Sequence, residues 1–257
     1  MGGVAGSADD DSVLGRESPE PDVVASYGPG PDDVADVQLG GDDRPLVVLL
    51  HGGFWRPGFD RTHLRDMAHA LAAEGFTAAA TEYRRIPGNP DAALADVRVA
   101  LRVLPVELRG RHDGRTIVVG HSAGGHLALW AASAAPARDL LGTVALAPVA
   151  DLAAAEAARL GSGAVNAFLA GSASSRVDLD PVRMATPSTP VVLVHGDDDQ
   201  VVPPSQSQAY AGTHPSAVLN LLPGIGHFGL IDPTSPAFAR VVAEIQALAD
   251  ADPAPEA

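Results

Sequence analysis

Short runs almost empty of polar side chains, each followed by a helix-period pattern, constrain this chain more than any other feature. Leu46-Val-Val-Leu-Leu50 and Thr116-Ile-Val-Val119 show no alternation of apolar and polar residues. A strand with one wet face would alternate, so such runs demand cover on both faces, as in a parallel sheet. Similar strands are expected at 77–83, 143–146, 191–194 and 217–222. Helical patterns separate them at 60–74, from Pro90 through Leu94, Val97, Leu101 and Leu104, and at 123–135, 204–212 and 237–248. Six strands alternating with helices predict an α/β fold: a mostly parallel open sheet with helices on both faces and right-handed crossovers. Two further strands are expected within 23–39. Residues 151–188 are Ala/Ser/Gly-rich and weakly periodic, and read as a small insertion that shapes the carboxyl edge of the sheet.

Composition then removes whole classes of chemistry. The 257 residues contain no Cys, which excludes disulfides, thiolate metal sites and a Cys nucleophile. There is no Lys either, so all 17 basic residues are Arg, and Schiff-base chemistry and a P-loop are excluded. The net charge of −15 is concentrated at the ends: residues 1–43 carry −10, residues 244–257 carry −4, and the body between them −1. No basic patch offsets the acid, so nucleic-acid binding is not expected. No apolar run approaches the roughly 18 residues of a membrane span. The first residues lack a basic and apolar leader pattern, so a cytoplasmic location is expected. Residues 1–22 read as a disordered acidic tail, 23–250 as one domain, and 251–257 as a second disordered tail.

In sheets of this kind the working site lies at the carboxyl ends of the strands. Gly120-His-Ser122-Ala-Gly124 stands between a strand and a helix, the context in which G-x-S-x-G carries a nucleophile. Small residues at 120 and 124 let strand and helix approach, which leaves Ser122 on a sharp turn at a helix N-terminus. The bland alternative is a structural Ser. His195-Gly-Asp-Asp-Asp199 follows the 191–194 strand; one of its acids can orient a His, although an Asp run also makes an ordinary solvated turn. Gly224-Ile-Gly226-His227 follows the 217–222 strand and offers that His, where a loop His is otherwise simply exposed. Ser122, Asp199 and His227 lie in the order Ser…Asp…His, separated by 77 and 28 residues. His51-Gly52-Gly53-Phe54-Trp55 closes the set: N–H groups of Gly52 and Gly53, with that of Ala123, can receive an oxyanion.

These motifs resemble the α/β-hydrolase fold superfamily over residues 23–250, above all small esterases and kynurenine formamidases with a His-Gly-Gly-aromatic-Trp loop. Phe54 stands where the hormone-sensitive-lipase type has a third Gly. Residues 195–210 also look like the prolyl oligopeptidase group, and that resemblance puts the triad acid on Asp199. It implies a serine hydrolase of small carboxylic esters. The alternative is an arylformamidase acting on N-formyl aryl amides, and a third reading is a non-catalytic ligand-binding protein of the same fold. No cofactor or metal is required. Phe54 and Trp55 either line the substrate pocket or pack the loop, and Arg56 is the one cation beside them. His51, His121 and His195 end strands but lack the spacing of metal ligands. Asp151 reads as a helix cap or an alternative acid, Glu82-Tyr83-Arg84 as a structural ion pair, and His63, His69, His112 and His214 as surface residues. Oligomeric state is not legible.

Overall fold

The computed structural model describes residues 10–251. Eight strands form one sheet in the order β1-β2-β4-β3-β5-β6-β7-β8. They are β1 (Val23–Ser26), β2 (Val34–Gln38), β3 (Leu46–Leu50), β4 (Ala78–Thr81), β5 (Thr116–His121), β6 (Leu140–Leu146), β7 (Val191–Gly196) and β8 (Val218–Leu222). β2 runs antiparallel to both β1 and β4, and every other pairing is parallel. All six strands expected to alternate with helices form, and the two expected within 23–39 are the antiparallel edge pair.

Period-two alternation splits the central strands between two apolar layers. Leu46, Val48, Leu50 and Val118 pack beneath α2 (Pro90–Glu107) and α3 (Ala123–Ala134). Val47, Leu49, Ile117, Val119, Val144 and Val194 face α1 (Arg65–Ala73) and α7 (Phe238–Asp250). Full burial of one such side chain is worth about 1.5–3 kcal/mol, so either layer alone outweighs any single polar contact described below. α6 (Ser205–Thr213) covers the β7 side through Tyr210. The helix expected at 60–74 begins with a 3₁₀ turn, Arg61–Leu64, because the Asp60 carboxylate accepts from the Thr62 N–H.

The disordered tail expected over 1–22 is corrected in its described part. Residues 10–22 do not hang free: Ser12–Gly15 form a 3₁₀ turn, Val13 is buried in the α1/α7 layer, and Arg16 pairs with Asp232. Two apolar side chains and one cation suffice to dock a segment otherwise rich in acid. Residues 1–9 and 252–257 lie outside the described residues. The 151–188 insertion folds as α4 (Leu152–Ala157), α5 (Leu160–Leu169) and three 3₁₀ turns. Asp151 caps α4, its carboxylate accepting from the Ala154 N–H at 2.8 Å. Arg159, Gly161, Ser162 and Gly163 all have left-handed φ (53°, 54°, 57° and 82°), a run for which its two glycines are suited.

Candidate active site

β5 delivers Ser122 to the start of α3 with φ 58° and ψ −117°, conformations costly for any residue with a Cβ. The flanking glycines explain how the turn can be so tight. A Cβ on Gly120 would lie 2.2 Å from the Gly124 carbonyl oxygen, and one on Gly124 would lie 2.0 Å from that of Leu50. Backbone bonds hold the strained residue: the Ser122 N–H donates to Leu146 at 2.8 Å, and the Ser122 carbonyl accepts from His126 and Val149. The Ala123 N–H opens α3, and the first N–H groups of a helix have no intrahelical acceptor.

Of the three adjacent acids only Asp199 reaches His227. His227 Nδ1–H donates to Asp199 Oδ2 at 2.6 Å, and both residues are buried. Asp197 instead accepts from the Gly224 N–H at 2.7 Å, and Asp198 bonds Gln200. Asp199 Oδ1 accepts from the N–H groups of Val201 (2.9 Å) and Val202 (2.7 Å). Burial pushes the Asp199 carboxyl up, but the bonds from His195 and His227 outweigh it and hold the group well below the usual carboxylate range.

Two histidines that the sequence reading left structural turn out to support this pair. His195 Nε2 lies 3.2 Å from Asp199 Oδ2 and 2.9 Å from the Val202 carbonyl, while its Nδ1 meets Ser207 Oγ at 2.7 Å. His121 Nε2–H donates to the His227 carbonyl at 3.1 Å, and burial, followed by the nearby His227, keeps its imidazole well below its ordinary pKa. Their position at strand ends was visible in sequence, but not their partners.

The Gly-rich loop arches over Ser122. A Cβ on Gly52 would touch Ser122 Cβ at 3.0 Å, and Gly53, Phe54 and Trp55 all have positive φ (109°, 52° and 55°). The loop is braced from β4. Tyr83 Oη–H donates to the His51 carbonyl at 2.8 Å, and the His51 ring stacks on Tyr83 at 4.3 Å. His51 Nε2 meets Glu82 Oε1 at 2.9 Å, and burial drives this imidazole down to about 3. Glu82 is compensated by Arg61 and Arg85, while Arg84 pairs with Asp96 at 2.6 Å, so the two residues expected to pair with each other take separate partners. His63 lies edge-on to His51 and is buried, as are His112 and His214; only His69 is at the surface, as expected of all four.

Ser122, His227, Gly52, Gly53 and Phe54 line one cavity of about 200 Å³, closed by Phe59, His63, Val201 and Phe228. Trp55 is absent from its wall: it stacks on Phe168 of α5 at 4.4 Å and packs the loop. Arg56 also points elsewhere. It is exposed, lies 5.7 Å from the Phe54 ring and donates to the Gly161 carbonyl. The insertion therefore supports the Gly-rich loop from behind and contributes no wall residue, contrary to expectation. Asp11 and Leu14 take that place. The adjacent apolar pair Val13-Leu14 was the only sequence signal for it. Among the described residues no three His, Asp or Glu side chains are grouped as a metal would require, and no helix is long and apolar enough to cross a membrane.

Known proteins resemble parts or the whole of this chain. The BD-FAE family model matches residues 33–147, and that of the prolyl oligopeptidase family matches residues 106–215. A kynurenine formamidase from Salmo salar is 37% identical over 87 residues, which are 34% of this chain and 29% of that protein's length. Esterase B from Lactobacillus rhamnosis, inhibited by a tributyrin phosphonate, superposes with a TM-score of 0.75 at 20% identity, over 94% of this chain and 91% of its own. A putative thioesterase from a Silicibacter species gives 0.73 at 22% identity, covering 87% and 84%. A butyrate-bound thermophilic esterase from Thermogutta terrifontis gives 0.68 at 19%, covering 88% and 92%. The chain has the α/β-hydrolase fold, as the sequence resemblance implies, and its likenesses fall among esterases and a formamidase.

Proposed function

We propose that this α/β-hydrolase-fold chain is a serine hydrolase that cleaves small carboxylic esters through an acyl-enzyme. The observation that carries the reading is the meeting of Ser122 and the Asp199–His227 pair, from three separate strand ends, at one cavity roofed by Gly52 and Gly53. His227, oriented by Asp199, takes the Ser122 hydroxyl proton as Oγ attacks the ester carbonyl. The tetrahedral oxyanion is received by N–H groups of the Gly52–Gly53 loop and of Ala123, each donor commonly worth about 3–4 kcal/mol. Collapse breaks the C–O bond, and His227 returns the proton to the departing alkoxide. Water, deprotonated by the same His, then attacks the acyl carbonyl and restores Ser122.

Cavity size favours the ester over the formamide. Pockets for drug-sized ligands span about 300–1,000 Å³, and this one is smaller. The apolar rings of Phe54, Phe59 and Phe228 suit a short alkyl group. The kynurenine formamidase likeness favours the second reading, hydrolysis of an N-formyl aryl amide. An amino-acid substrate of that kind calls for a fixed cation at the pocket, but no Arg is among the described residues lining it, and Arg56, the candidate expected from sequence, is turned to Gly161. The test compares kcat/KM for p-nitrophenyl acetate and butyrate with that for N-formylkynurenine. The ester reading expects the esters to be turned over faster. A formamide value about 100-fold above them, some 2.7 kcal/mol in transition-state terms, would reverse the order.

A further inference from the structure

The docked N-terminal segment has no part in the chemistry above, yet it walls the cavity in which that chemistry would occur. Leu14 and Asp11 line the same space as Ser122 and His227. Leu14 packs against the apolar layer that also takes Phe228, and Asp11 stands exposed at the rim. Three attachments hold the segment in place. Val13 is buried among the residues of the α1/α7 layer. The Leu14 N–H donates to the Asp11 carbonyl at 2.9 Å, which closes the turn. Arg16 then forks onto Asp232, with Nη1–Oδ1 at 2.8 Å and Nη2–Oδ2 at 2.9 Å, and lies 3.7 Å from Asp66 of α1. The Arg16 bond holds the Asp232 carboxyl down at about 2. Asp232 follows His227 by five positions, so the fork ties the segment to the same loop that carries the triad His.

We propose that residues 11–16 are a specificity strap: Leu14 is the wall that limits the length of the substrate's alkyl chain, and Arg16 is the positioning residue that keeps this wall closed. The proposal rests on the esterase reading and adds to it the determinant of chain length. A wall made by one aliphatic side chain can be changed at Leu14 without substituting Ser122, His227 or the Gly-rich loop. In a small pocket whose apolar wall includes Leu14, each further methylene must be accommodated or rejected, and one methylene is worth about 10-fold or more in discrimination.

The test measures kcat/KM for p-nitrophenyl acetate, butyrate, hexanoate and octanoate on the full chain and on Leu14→Ala, Leu14→Phe, Arg16→Ala and Ser122→Ala. Leu14→Ala and Arg16→Ala should each raise the octanoate-to-acetate ratio by about 10-fold or more, and Leu14→Phe should lower the butyrate-to-acetate ratio by about as much. A purely structural role for Arg16 would lower all four values together and leave the ratios alone. Ratios unchanged in the three strap variants, with turnover abolished only in Ser122→Ala, would overturn the strap and spare the esterase reading. Absence of turnover in the unsubstituted chain would overturn both.

Discussion

Ser122 occupies backbone angles that cost a side chain about 1–3 kcal/mol, and nothing in its own chemistry repays them. Three backbone hydrogen bonds and two glycine contacts supply the constraint, so the strain is imposed by the surrounding strands. The residue scale also decides among the three acids. Asp199 accepts from His227, from two backbone N–H groups and from the side of His195, whereas Asp197 accepts only from the Gly224 backbone and Asp198 bonds Gln200 within its own turn. Asn at position 199 substitutes a neutral amide whose NH2 can donate to Nδ1, which holds His227 in the wrong tautomer and removes the charge facing the imidazolium. Asp199→Asn should lower kcat on p-nitrophenyl butyrate by about 10³–10⁴, the size of the loss known for the triad Asp of serine proteases. Asp197→Asn and Asp198→Asn should change it little. Comparable losses at all three positions would show that the acidic turn acts as a unit and that no single carboxylate orients His227.

At the scale of elements, the site exists because β3, β5 and α3 approach more closely than side chains normally allow. Gly124 faces the carbonyls of Leu50 and His51, and Gly120 faces Gly124 and Ala128. Gly124→Ala would press a methyl group into rigid backbone. Overpacking of this kind costs about 1–3 kcal/mol and here has no flexible side chain to absorb it. The denaturant midpoint should fall accordingly, with labelling of Ser122 reduced; an unchanged midpoint would mean that β3 can move away and that the approach is not tight. This junction was legible in the sequence because glycine spacing and strand apolarity are local signals. The insertion was not. Gly161, in its left-handed stretch, lies against the Phe54 ring and accepts from Arg56, about a hundred residues earlier in the chain, and no local pattern encodes such a partner.

Across the whole molecule, what was legible follows how far each signal reaches. β3 spans the residues its apolar run predicts, and the two faces of the sheet follow from period-two alternation. Buried histidines escaped notice because burial depends on remote partners. His214 Nε2 lies 3.3 Å from the carbonyl of Met184, thirty positions earlier, and His63 lies edge-on to His51 of the Gly-rich loop. The acidic N-terminal stretch misled for a related reason: net charge describes a segment's average, and docking of residues 10–16 needs only Val13, Leu14 and Arg16. All of these assignments converge on one atom, Ser122 Oγ. The most direct measurement is therefore covalent labelling by a fluorophosphonate probe, mapped by peptide mass spectrometry on the unsubstituted chain, Ser122→Ala and His227→Ala. The account predicts a single phosphonylated peptide carrying Ser122, no labelling of Ser122→Ala, and strongly slowed labelling of His227→Ala. Persistent labelling of Ser122→Ala, or modification of a different residue in the unsubstituted chain, would contradict it.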